Sequence, residues 1–122
     1  MGATPREQTG RSSQFVDTSA ILFSFAGTIS TDQNANIPQI VLPNAVRVNR
    51  WRVNVVTPGA GGDVVVKFYV NGGEAASVTL PAGATFAETT APTDIPAEVP
   101  IACEIDSMTT LTPPATMTMM AV

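Results

Sequence analysis

The stretch DVVVKFYVNGGEAASVTL, residues 63–80, alternates apolar and polar side chains on both sides of a central Asn-Gly-Gly. Val64, Val66, Phe68 and Val70 share one parity; Val65, Lys67 and Tyr69 share the other. A period of two belongs to a half-buried strand, because successive Cβ atoms point to opposite faces of a sheet. Asn71, Gly72 and Gly73 tolerate the positive φ that a tight antiparallel turn demands. Beyond the turn Ala76, Val78 and Leu80 alternate with Ser77 and Thr79. The stretch therefore reads as a β-hairpin with one apolar face.

The same period extends outward in both directions. ILFSFAGTI (21–29) sets Ile21, Phe23 and Phe25 against Leu22, Ser24 and Ala26. IPQIVLP (37–43) is fenced by Pro38 and Pro43, which suits an edge strand or a connector. A long strand over 46–56 ends in the turn TPGAGGD, and PAG (81–83) is a further turn. Residues 84–98, ATFAETTAPTDIPAE, read as a short strand followed by a proline-interrupted loop. In VPIACEID (99–106), Val99, Ile101, Cys103 and Ile105 fall inward, with Glu104 and Asp106 outward. MTTLTPPAT reads as a loop before a last strand, ATMTMMAV (115–122), in which Met117 and Met119 share the core parity and Met120 opposes them. No segment holds a helical apolar stripe for three turns. The pattern predicts an all-β chain, an antiparallel β-sandwich of the jelly-roll kind, over residues 20–122.

Residues 1–19 differ. After Met1 only Phe15 and Val16 are substantial apolar groups, too few to offset the entropy of ordering the segment. They are expected to form an extended N-terminal arm, ordered by the domain or by a neighbour.

RVNRWRVNVV (47–56) holds Arg47, Arg50 and Arg52, half of the six basic residues, around the single tryptophan Trp51. Val46 and Val48 share one parity, whereas Trp51, Val53 and Val55 share the other. Such a slip exposes one set unless a residue is inserted, so a β-bulge is expected near Asn49–Arg50. The bulge places the three arginines on one polar face, opposite Trp51. A base-stacking platform needs ring and cation on the same exposed side. The arginines are instead expected to pair with carboxylates on adjacent strands or subunits.

Composition narrows the function further. With a net charge of −4 and a single lysine, Lys67, the chain lacks the basic excess that nucleic acid or an anionic membrane attracts. It has no histidine, the commonest general base and metal ligand. Cys103 is the only cysteine, which excludes an intrachain disulfide and a cysteine-cluster metal site. MGATPREQTG has no apolar h-region, so no Sec-type signal is expected, and Arg6 spoils the match of Gly2 to a myristoylation start. Glu104 and Asp106 lie roughly 6.5 Å apart along one strand, near an inverting glycosidase's carboxylate spacing, but side by side rather than across a cleft. PGAGGD precedes a strand, not the helix that a phosphate loop opens. Neither an enzyme nor a cofactor or metal is expected.

The order of these motifs from Ile21 onward resembles a family of small jelly-roll proteins from tailed-bacteriophage particles. The resemblance rests on FSFAGTIS (23–30), VRVNRWRVNVVTPGAGGDVVVKFYVNGG (46–73), SVTLPAGATF (77–86) and PIACEIDSMTTLTPPATMTMMAV (100–122). TPGAGGD, VKFYVNGG and LPAG follow in the family's order, while AEVP (97–100) stands where the family has a Gly-Asp pair. The resemblance implies a virion structural protein without cofactor or catalytic motif. It implies a capsid decoration (cement) protein, made in the host cytoplasm and set on the outer surface of a phage head. Its partners would be the major capsid protein and itself, as a homotrimer, with no nucleic acid or membrane. Arg6, Arg11 and Phe15 would anchor the arm, and Arg47, Arg50 and Arg52 would line a capsid or subunit interface. The alternative is a tail- or head-fibre domain that binds a host surface glycan, with Tyr69 stacking on a sugar face.

Overall fold

The structure is a computed structural model and describes residues 21–31, 34 and 37–122. The N-terminal arm expected over 1–19, with Arg6, Arg11 and Phe15, lies outside the described residues. Eight strands follow in order: β1 (Ile21–Thr28), β2 (Ile40–Val41), β3 (Val46–Thr57), β4 (Val64–Val70), β5 (Gly73–Leu80), β6 (Phe86–Ile95), β7 (Pro100–Met108) and β8 (Ala115–Ala121). They form two four-stranded sheets, a first ordered β1-β8-β3-β6 and a second ordered β2-β7-β4-β5. Every pairing is antiparallel, and the chain is the all-β sandwich that its alternation predicts.

The pairs β1/β8, β2/β7, β3/β6 and β4/β5 make one long antiparallel ribbon whose tip is the β4–β5 turn. Folding the ribbon over itself adds the β3/β8 and β4/β7 pairs and closes two sheets around one core. At the tip, Asn71 and Gly72 carry φ of 52° and 84° between the paired residues Val70 and Gly73. Positive φ at both central residues is what a two-residue turn needs to match the twist of its strands.

The core fills from the inner parity of both sheets. Val64, Val66 and Phe68 face Trp51, Val53, Met117 and Met119, and all are buried. Trp51 stacks on Phe68 with ring centroids 4.8 Å apart. The slip predicted in β3 is present: the β3/β6 register shifts between Val48 and Arg50. On the other side of β3, Asn49 N and Arg50 N both donate to Val122 O, at 2.7 and 3.0 Å. Two successive amides on one carbonyl mark an inserted residue, which restores Trp51 to the core side.

The reading of 84–98 needs correction. β6 is a ten-residue strand, with Pro92 inside it. A proline survives here because β6 is the outer strand of the first sheet and Pro92 falls in the register shift, between Thr90 and Thr93. Edge strands and bulges are the places where a missing amide costs no ladder bond.

Candidate functional site

The outer face of the first sheet gathers most of the unusual surface chemistry. Strand register sets Leu22, Met120, Arg52 and Glu88 in one row across β1, β8, β3 and β6. Ser24, Thr118, Asn54 and Phe86 form the next row. The three arginines project from this face, as the bulge requires. Arg47 Nη1 lies 2.6 Å from Asp94 Oδ1. Arg52 donates from Nε at 3.1 Å and from Nη2 at 2.7 Å to the same oxygen, Glu88 Oε1. Arg50 Nη1 reaches Glu88 Oε2 at 3.8 Å. Within the chain, the arginine row is thus in contact with carboxylates of the adjacent strand β6.

The Arg52 hydrogen bonds hold the Glu88 carboxyl below its ordinary range, against the opposing effect of desolvation. Arg52 also lies over the Phe86 ring, 5.2 Å from its centroid. Phe86 is 55% exposed, and with Leu22, Val56 and Val122 it supplies four of the six exposed large apolar side chains among the described residues. Exposed apolar side chains thus stand beside arginines on this face.

The outer face of the second sheet is acidic by comparison. Lys67 Nζ sits 3.5 Å from Glu74 and 3.7 Å from Asp106. The Tyr69 hydroxyl donates to the Glu104 carboxylate. That hydrogen bond, followed by burial, pushes the Tyr69 hydroxyl up to about 12. Tyr69 is half-buried, so it presents less ring to a ligand than Phe86 does. The carboxylates of Glu104 and Asp106 are thus each engaged, one with a hydroxyl and one with an ammonium.

The other sequence candidates resolve as packing. Cys103 is 5% exposed, and burial, then the neighbouring Glu104 charge, pushes its thiol up to about 12. Met117 and Met119 are buried, whereas Met120 joins the outer row beside Leu22 and Arg52. TPGAGGD joins β3 to β4 and lies against the β7–β8 loop, where Leu111 N donates to Ala60 O at 3.0 Å and Thr109 N to Asp63 O at 3.0 Å. A Cβ on Gly62 would stand 2.4 Å from Thr109 O. Glycine is required there by backbone approaching backbone. Among the described residues, no group of three or more His, Cys, Asp or Glu side chains is placed to hold a metal ion.

Phe86 escaped the sequence reading because ATFAETT shows too short an alternation to fix its parity. Its register opposite Asn54, set by the long β3 strand, is what turns it outward. No protein-family model matches the chain, and no curated protein matches it.

Proposed function

We propose that this chain is a virion structural protein, a decoration (cement) protein that binds the major capsid protein on the outer surface of a tailed-phage head and reinforces it. The observation that carries the reading is the folded ribbon, β1/β8 through β4/β5, with an apolar, arginine-bearing outer face on one of its two sheets. We read a ribbon so wound as a jelly roll, a plan that capsid and lectin domains share. Fold alone does not choose among functions. The choice rests on the face that carries Leu22, Phe86, Val56 and Val122 beside Arg47, Arg50 and Arg52. Such a face suits a broad protein contact, in which apolar anchors supply affinity and arginines set register.

The test is reconstitution. Purified protein is added to phage heads assembled without it, and occupancy is read by electron cryomicroscopy. Ordered density at symmetry-related sites outside the shell supports the reading; bare shells at micromolar protein sink it. A second reading, a fibre domain that binds a host surface glycan, draws on the Phe86 ring with Arg52 above it, and on Tyr69. Glycan-array binding that disappears in Phe86→Ala or Tyr69→Ala replaces the first reading with the second.

A further inference from the structure

A β-sandwich has four sheet edges, and an unguarded edge recruits another strand. Three of the four are guarded here. β2 is two residues long and lies between Pro38 and Pro43. Beyond it, the Asn34 carboxamide takes the place of a strand on β7: Nδ2 donates to Ile105 O at 2.9 Å, and Oδ1 accepts from Ile105 N at 2.8 Å. The β5 and β6 edges close on each other, with the Thr89 hydroxyl donating to Ser77 O at 3.0 Å. β6 also carries Pro92, Glu88 and Asp94.

Over Leu22–Ala26, β1 shows none of these devices among the described residues. ILFSFAGT contains no charged residue and no proline, and Leu22 is 53% exposed. Among the described residues its strand partner is β8, on one side. The straight part of the strand ends where Gly27, at φ 79°, accompanies a register shift between Phe25 and Thr28.

We infer that the edge of β1 over Leu22–Ala26 pairs with the same edge of a second copy, about a twofold axis through Ser24. The segment is self-complementary. Antiparallel pairing centred on Ser24 sets Phe23 opposite Phe25 of the second copy and Leu22 opposite its Ala26. Directly opposed residues share a face, so both phenylalanines stay on the core side and Leu22, Ser24 and Ala26 stay outside. A slip by one residue would set phenylalanine against serine and send apolar groups to the wrong face. Phe23 is 4% exposed, whereas Phe25 is only half-buried. An added strand covers more of the half-buried Phe25. No charge in the strand opposes the approach of two copies. The result is one continuous sheet, β6-β3-β8-β1 followed by its twofold copy. This pairing stands on the edge alone, holds whatever surface the protein coats, and makes pairs in place of the threefold assembly that the family resemblance implies.

Sedimentation equilibrium and thiol cross-linking of the full chain test it. Opposed residues in an antiparallel pair have Cα atoms about 4.5–5.5 Å apart, inside the span a disulfide bridges. Ser24→Cys is expected to give a covalent dimer on mild oxidation. Thr118→Cys, one strand further in, is not, because its twofold copy stands about 14 Å away across three strand spacings. Cys103 is buried and adds no background. The unmodified chain is expected to sediment as a dimer at tens of micromolar, and Leu22→Lys to raise the dimer dissociation constant at least tenfold while its circular dichroism stays unchanged. A monomer or trimer mass for the unmodified chain, or Ser24→Cys cross-linking no faster than Thr118→Cys, overturns the inference.

Discussion

The half-buried carbonyl of Ala91 offers a sharp test of how the β3 slip is stabilised. Two side chains donate to it, Trp51 Nε1 at 3.2 Å and Thr93 Oγ1 at 2.8 Å. Trp51→Phe removes one donor and part of a ring from a site with no exposure. The lost hydrogen bond costs about 1 kcal/mol, since the carbonyl keeps Thr93. The lost ring volume adds about 1–2 kcal/mol, below the ~3–5 kcal/mol of a full aromatic truncation. Thr93→Val alone removes the other donor and costs about 1 kcal/mol. Together the two changes leave a half-buried carbonyl without either side-chain donor, which carries a desolvation penalty at the low end of about 1–3 kcal/mol that neither single change incurs. The double variant should therefore exceed the sum of the singles by roughly 1 kcal/mol or more. Urea unfolding with a constant m-value measures all four proteins. Additivity within about 0.5 kcal/mol would refute the idea that the two donors share the task of satisfying Ala91.

Three further outcomes follow from the geometry. Gly62→Ala forces Cβ into the Thr109 carbonyl, so the contact between the β3–β4 and β7–β8 loops should part, at a cost of about 2 kcal/mol or more in thermal or urea unfolding. The single tyrosine makes absorbance titration specific to Tyr69: its midpoint should lie near 12 in the native protein, and Glu104→Gln should draw it back towards 10.0. Because its folded value is raised, the stability that Tyr69 contributes is whole below pH 10.0 and is lost as pH rises through about 12. Glu88 works with the opposite sign: its folded value is lowered, so its contribution is present above an ordinary carboxyl value of 4.5 and disappears as pH falls through the folded value. Glu88→Gln should accordingly flatten the acid limb of a stability–pH curve.

The strands whose apolar parity is unbroken were legible from residues alone, because burial enforces a period of two. DVVVKFYV and ASVTL could be placed to the face, and Asn71-Gly72 could be assigned its turn. Even the irregularity of β3 was visible, since valines at 46 and 48 and a tryptophan at 51 cannot face one way without an extra residue. β6 was not legible: of its inward positions Ala87, Thr89, Ala91, Thr93 and Ile95, the first four are too small or too polar to declare a face, and Pro92 argues for a loop. What makes it a strand is the long partner β3, a tertiary cause. The arginine face was half legible. The bulge foretold which way the cations point, but Glu88 and Asp94 lie 36 and 47 residues from Arg52 and Arg47, and only the pairing of β3 with β6 brings them within reach.

The folded ribbon also bears on how the chain acquires its structure. Ile21 pairs with Ala121, and β8 lies between β1 and β3 in the first sheet. The ribosome delivers β8 after the other seven strands, so β1 stays without its strand neighbour until β8 has emerged. The β4–β5 tip, by contrast, closes through a two-residue turn and is available early. Folding is thus expected to begin at the tip and zip towards the strands farthest apart in sequence, whose loop-closure entropy is the largest. Until the last strand arrives, Leu22, Phe23 and Phe25 are exposed on a nascent chain, and the interval before β8 docks is when this protein is most open to capture by chaperones or by aggregation.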